Sequence, residues 1–351
     1  MASVGAKRKV IDADAHVIEN EHTWDYLLPH EERYRPQLFS KPDNPANAYW
    51  VLGGKIIGHR TAEQTEDELR GVSQRTGRDV VSTVASRELS DVSARLSHID
   101  ELGIDTQELH STLWIQPVTD NAAVDVALCG SWNRWMADAY AKSDDRLHWT
   151  CVLPIASMDE AIEEMRYCRD HGAVGIMLRP IEGDRLLVDP YFYPLYEEAE
   201  RLNLCIAVHV SNASPAVFEG MRSVYDKAAS FYPLRVPTVG SSLVVMMSDI
   251  PVTFPKLRWG FIEVSAQWVP WVVKEVRRRA RKLGRPMPDD VLRELNVYVS
   301  CETDDDIGYI VAYGGEDNIV VGTDYGHTDI SGENDAITTF RQREDIAPGL
   351  L

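Results

Sequence analysis

Asp14 and His16 stand two residues apart at the end of the apolar, β-branched run VIDADAHV, residues 10–17. In an extended segment, side chains at i and i+2 share a face. A carboxylate and an imidazole would therefore leave such a strand side by side, and both are good ligands for a divalent transition metal. A lone D-x-H is more often just the polar end of a strand, so the pair needs partners from elsewhere. Downstream, His209 interrupts the apolar CIAVHV, and Asp324 and His327 follow the apolar NIVVG. Glu263 and Ser265 lie in FIEVS, Glu302 ends NVYVSCE, and Arg179 follows GIML. Singly, each has a plain structural explanation. Arg179 can pair with a neighbouring carboxylate, His209 can be a hydrogen-bonded core histidine, and Glu302 can open a solvated acidic patch with Asp304, Asp305 and Asp306. Together, Asp14, His16, His209 and Asp324 form a mixed N/O set for one Zn²⁺, Mn²⁺ or Fe²⁺, with a position left open for water or substrate. That holds only if their segments are parallel strands of one barrel.

The elements needed to bring them together are legible. From residue 93 onward, amphipathic helical stretches alternate with short apolar runs. ARLSHIDELG predicts a helix ended by Gly103, TQELHSTLW a strand, and residues 121–143 a long helix before the strand LHWTCVLP. MDEAIEEMRYCRDHG, PLYEEAERLN, a region near 238–250, WVPWVVKEVRRRARKLG and DDIGYIVAYGG read as helices. AVGIMLRP, LCIAVHV, LRWGFIEVS, NVYVSCE and NIVVGTDYGH read as strands. With the first strand this makes eight, and eight βα units close a (β/α)8 TIM barrel whose chemistry sits at the C-terminal strand ends. Residues 18–92 do not alternate. They contain Pro29, Pro36, Pro42 and Pro45, then two apolar runs around Gly53-Gly54 that signal a β-hairpin. The expectation is a single domain over 1–351 with 18–92 inserted after strand one as a lid-like subdomain.

Composition limits the classes of function. The 351 residues are 44% hydrophobic and 26% charged, with no apolar run of membrane-spanning length. A net charge of −19 disfavours nucleic-acid or anionic-membrane partners. The N-terminus MASVGAKRKV is basic but lacks an apolar core, so it does not read as a secretory signal. Five scattered cysteines, odd in number, fit reduced core residues of a cytoplasmic protein. The expected partner is a small-molecule substrate.

These segments, in this order, resemble the amidohydrolase superfamily, in the branch related to aminocarboxymuconate-semialdehyde decarboxylase (amidohydrolase 2). The resemblance spans nearly the whole chain. Asp14 and His16 in IDADAHV match its opening acidic-or-His, x, His. ARLSHIDELGID resembles the segment before its strand two, and WNRWMAD the helix after it. GIMLRP matches its strand four, AVH carries its strand-five metal histidine onto His209, and GEDNIVVGTDYGHTD resembles its ending, with the strand-eight aspartate on Asp324. Two departures stand out. The histidine usual on strand six aligns with Val264, beside Glu263, so its role would pass to Glu263, His327 or Arg179. The closing helix that usually follows strand eight is not recognisable before the chain ends at Leu351.

The resemblance implies one divalent ion, Zn²⁺ first and Mn²⁺ or Fe²⁺ as alternatives, on Asp14, His16, His209 and Asp324. It implies catalytic roles for Asp324, Glu263 and His327, and a homo-oligomer, dimeric or larger. It points to a decarboxylase of a small aromatic or unsaturated carboxylic acid. The alternatives are a hydrolase of a C–N or lactone bond with Asp324 as general base, and a non-catalytic scaffold barrel. Arg179 is a candidate to grip a substrate carboxylate bidentately. Trp268 and Trp271 either line an apolar substrate pocket or pack a helix against the barrel.

Overall fold

Short apolar segments give the first eight-stranded layer of the structure: β1 (Ile11–Val17), β2 (Thr106–Ser111), β3 (Leu147–Cys151), β4 (Ala173–Leu178), β5 (Cys205–His209), β6 (Trp259–Ile262), β7 (Val297–Cys301) and β8 (Ile319–Val321). This computed structural model describes residues 9–41, 44–60, 64–212, 214–221, 231–347 and 349–350. The eight strands are parallel and ordered as in the chain. β8 ends early, and closure onto β1 is made just beyond it. Thr323 and Asp324 both donate their N–H to Asp14 O, and His16 N–H donates to Tyr325 O at 2.8 Å. The result is a (β/α)8 barrel, as the alternation predicts.

Helices cover the outside: α1 (Val92–Glu101), α2 (Ala122–Ala141), α3 (Met158–Asp170), α4 (Tyr193–Leu202), α5 (Val236–Met247), α6 (Val269–Lys282), α7 (Ile307–Gly314) and α8 (Ala336–Gln342). Their ends follow local chemistry. Asp91 caps α1 by accepting from Ser93 and Ala94 N–H, and Asn203, in the left-handed region, ends α4. α6 buries Val269, Val272, Val273, Val276 and Ala280, one stripe at helical spacing, while its arginines stay outside. α8 corrects an expectation. A closing helix is present, with Ala336, Ile337 and Phe340 buried on one face. It is only two turns long, too short for its apolar stripe to stand out in the sequence. Four of the five cysteines are buried and none is bridged. Among the described residues no helix is long and apolar enough to cross a membrane.

The segment between β1 and α1 forms a three-stranded antiparallel sheet, Gln37–Lys41, Asn44–Leu52 and Lys55–Arg60. Gly53 and Gly54 both take positive φ at the predicted hairpin turn, as a two-residue primed turn requires. The first of these strands was not expected, because Pro36 and Pro42 bracket it; at a sheet edge, prolines are tolerated. Trp24 packs edge-on to Trp50 at 5.7 Å and near Trp114 at 6.3 Å, so hairpin and barrel share one apolar core. At Gly58 a β-carbon would fall 2.1 Å from Leu113 Cδ1, which shows how closely the hairpin lies on the barrel mouth. Arg60 pairs with Glu88 nearby.

Candidate metal centre

β1 delivers Asp14 and His16 to the C-terminal mouth, and β5 ends on His209. The two imidazoles face each other with Nε2 atoms 2.9 Å apart. Carboxylates surround this pair. Asp14 Oδ1 lies 3.7 Å from His16 Nε2 and 3.5 Å from His209 Nε2. Glu263 Oε2 lies 3.8 and 3.4 Å from the same two atoms. Asp324 Oδ1 is 3.6 Å from His16 Nε2 and 2.7 Å from His327 Nδ1. The donors divide into two overlapping groups, Asp14–His16–His209–Glu263 and His16–Glu263–Asp324–His327, each with ligand atoms within 4.8 Å of one another.

Two of the carboxylates reach the mouth by unusual backbone. Glu263 follows β6 at φ 59° and Asp324 follows β8 at φ 49°. L-residues in the left-handed region pay on the order of 1–2 kcal/mol each. At position 263 this turn aims Glu263 inward and leaves Val264 buried against an apolar cavity between α5 and α6. Ser300 Oγ accepts the Glu263 N–H, and Asp305 accepts from Ser265 Oγ and Ala266 N–H, so the turn is pinned. Asp305 is thus a buried organiser, and Glu302 pairs with Arg235; neither belongs to a solvated acidic patch. The patch reading missed that the chain folds this stretch back under the β6 turn.

The fabric behind the cluster is polar and fully buried. Asp12 accepts from Thr323 N–H, Thr323 Oγ1 and Gln107 Nε2. Arg95 donates to Gln107 Oε1 at 2.7 Å and to His16 O at 3.2 Å, and its guanidinium lies 3.6 Å over the Tyr325 ring. These contacts tie β1, β2 and β8 together where the ligand atoms emerge. His110 on β2, a residue the sequence reading passed over, is buried beside both imidazoles, 5.2 Å from the His209 ring and 5.8 Å from that of His16. Its signal was its position four residues into β2, on the face that points into the barrel.

Electrostatics match a cation site. Burial keeps His16 well below the ordinary histidine range, and burial together with His327 lowers His209 to about 3, so both rings are neutral and free to ligate. Burial lifts Asp14 to about 6. Burial and the neighbouring Asp324 push Glu263 well up, and burial and Asp329 do the same to Asp324. Asp14 Oδ1 and both oxygens of Asp324 are buried without a hydrogen-bond partner. The 2.7 Å approach of His327 to Asp324 is close enough for an ion pair but off the line a hydrogen bond needs. Buried, unsatisfied carboxylates crowded around neutral imidazoles are costly unless a positive charge joins them. The residues present fit a divalent ion.

Arg179 and Trp268 are not brought to this point. The Arg179 guanidinium is already held by Glu182, with Nε–O contacts of 3.0 Å and Nη2–Oε2 of 2.6 Å, and by the carbonyls of Trp114 and Gln116. Trp268 and Trp271 line the cavity of about 500 Å³ between α5 and α6, with Val239 and Leu243. A smaller cavity of about 270 Å³ opens beside the cluster instead, lined by Gly58, His59, Thr112, Gln116, His327 and Asp329.

A parallel barrel with a buried two-histidine, multi-carboxylate centre at its mouth defines a metal-dependent barrel enzyme. The chain belongs to the amidohydrolase family, whose sequence model, described as "Amidohydrolase", matches residues 11–345. Solved structures share the fold. An amidohydrolase from Mycobacterium avium subsp. paratuberculosis K-10 is 18% identical, covers 98% of this chain and 95% of its own, with a TM-score of 0.78. A 5-carboxyvanillate decarboxylase from Novosphingobium aromaticivorans DSM 12444, solved with manganese and 4-hydroxy-3-methoxy-5-nitrobenzoic acid, is 16% identical over 98% and 92% of the two chains, TM-score 0.66. A 2,6-dihydroxybenzoate decarboxylase from Rhizobium is 18% identical over 98% and 94%, TM-score 0.64.

Proposed function

We propose that this protein is a metal-dependent decarboxylase of a small, single-ring or unsaturated carboxylic acid. The observation that carries the reading is the cavity of about 270 Å³ against His327 and Asp329. It has room for one ring, it touches the ligand cluster, and the hairpin residues Gly58 and His59 form its outer wall. Decarboxylases of dihydroxybenzoate and carboxyvanillate among the structural neighbours support the same class. We assign Asp14, His16, His209 and Asp324 to the ion, which when bound supplies positive charge to stabilise negative charge developing on the substrate.

For the proton the carbon needs, the geometry favours His327. Thr112 Oγ1 donates to Val17 O at 2.9 Å, so at its 2.9 Å contact with His327 Nε2 it must accept. Nε2 of His327 therefore carries hydrogen, and Nδ1, facing Asp324, is the nitrogen that gains or loses one. We assign His327, which lines the cavity, as the donor: protonated on both nitrogens it gives its Nδ1 proton to the carbon, with Asp324 beside Nδ1 stabilising the charged ring and Thr112 holding Nε2–H. Loss of CO₂ breaks the C–C bond, and that proton takes its place on carbon. In this reading the inserted segment 18–92 is lid-like, and its Gly58 and His59 wall the pocket.

Hydrolysis of a neutral amide or lactone is the second reading, and Glu263 favours it: a third carboxylate beside the imidazoles makes approach of an anionic substrate costlier. The test is a panel assay on metal-loaded protein. Aromatic and unsaturated monocarboxylic acids are followed for CO₂ release, and cyclic amides and lactones for ring opening. CO₂ release from an acid supports the proposal; ring opening with every acid inert transfers the assignment to the hydrolase.

A further inference from the structure

We infer that Glu263 is itself a cation ligand, completing a shell of two imidazoles and three carboxylates suited to a five- or six-coordinate, oxygen-preferring ion such as Mn²⁺ over four-coordinate Zn²⁺. The inference rests on the reading of this cluster as a metal centre. Asp14 and Glu263 flank the imidazole pair almost symmetrically, at 3.7 and 3.5 Å against 3.8 and 3.4 Å from the two Nε2 atoms. Donors bound at about 2.1 Å, with angles between 90° and tetrahedral, stand roughly 3.0–3.4 Å apart, so all these spacings are those of neighbours around one ion after small adjustment.

Glu263 has no better role as a prop. At 3.4 and 3.8 Å its oxygen is too far to orient either ring by hydrogen bonding. The rings turn Nδ1 outward instead, His16 toward Thr112 Oγ1 and His209 toward Val210 O, both at 3.5 Å, which leaves Nε2 for the centre. Beside it, Asp14 Oδ1 and both oxygens of Asp324 are buried without partners and point to the same missing positive charge. Asp14, His16, His209 and Glu263 already form one compact group, and Asp324, 3.6 Å from His16 Nε2 but grouped with Glu263 and His327, joins them by moving inward; with it, five protein donors exceed the four that Zn²⁺ usually accepts, and carboxylate-rich shells suit Mn²⁺.

The experiment compares wild type with Glu263→Gln in metal-free form, titrated with Mn²⁺ and with Zn²⁺. Wild type should bind about one ion, and the variant should lose at least about tenfold in Mn²⁺ affinity and less in Zn²⁺ affinity. Unchanged Mn²⁺ binding in a folded variant overturns the inference while leaving the metal centre intact; a wild type that takes up no ion overturns the centre itself. Co²⁺-loaded wild type gives a measurement independent of the variant's folding. Weak visible absorption, typical of five or six ligands, is expected, and intense tetrahedral bands would refute the five-donor shell.

Discussion

Gly322 lies so close against Asp14 that a β-carbon on it would fall 2.2 Å from the aspartate's own β-carbon. The last barrel strand crosses the first at the residue that carries a ligand, and only a side chain of hydrogen permits the crossing. Closure of the barrel and placement of Asp14 are therefore one event, made by the Thr323 and Asp324 N–H groups on Asp14 O.

Gly322→Ala should separate the two strands locally. Overpacking of this kind costs about 1–3 kcal/mol, read as a lower denaturation midpoint, and Asp14 should be displaced from the imidazoles. Metal content of the purified variant, measured by elemental analysis, should fall with it. Wild-type stability and metal content together would show that β8 does not press on Asp14.

Arg95 is fully buried and spends its donors on His16 O, Ser86 O and Gln107 Oε1. Burial lowers it to about 10, still charged at neutral pH. Arg95→Met keeps much of the volume but leaves three acceptors unpaired and removes the cation over Tyr325. A loss of roughly 2–4 kcal/mol is expected in a urea titration, and Gln107→Leu in the same background should cost less than it does in wild type, since the two act through one another.

Much of this was legible from the chain. D-x-H, the histidine in CIAVHV and the aspartate after VVG announce themselves because β-strand alternation and βα order fix where strand ends meet. What escaped depended on backbone that departs from alternation. At strand six Glu263 turns inward through a left-handed backbone, so simple i, i+2 counting cannot tell whether Glu263 or Val264 faces the mouth. For Arg179 the choice between a neighbouring carboxylate and a substrate stayed open, because its partner Glu182 is brought back by the tight Ile181–Glu182 and Arg185–Leu186 turn, a local fold with little hydrophobic signal. The closing helix α8 escaped for the same reason of size.

His209→Ala should abolish metal binding while leaving the barrel folded. The ring is neutral, with Nδ1 3.5 Å from Val210 O and Nε2 2.9 Å from the neutral His16 ring, so its loss leaves a small cavity and no buried charge. The cost to metal-free stability should be about 1–3 kcal/mol. Full ion occupancy in a folded variant would remove His209 from the ligand set.

Metal affinity should rise steeply with pH through the region near 6. Asp14 is lifted to about 6, mainly by burial, so below that pH a proton occupies the oxygen that must ligate, and above it the carboxylate is free. The sign is that of a competing proton: acid weakens binding, and the imidazoles add nothing to the slope because His209 stays neutral down to about 3. Glu263 and Asp324, pushed higher still by burial and by neighbouring carboxylates, should also shed protons when the ion enters. Titration of metal-free protein with Mn²⁺ at neutral pH, in buffers of differing ionisation enthalpy, should therefore show net proton release. Affinity that is flat between pH 5 and 7, with no protons released, would mean that the carboxylates are not the groups that meet the cation.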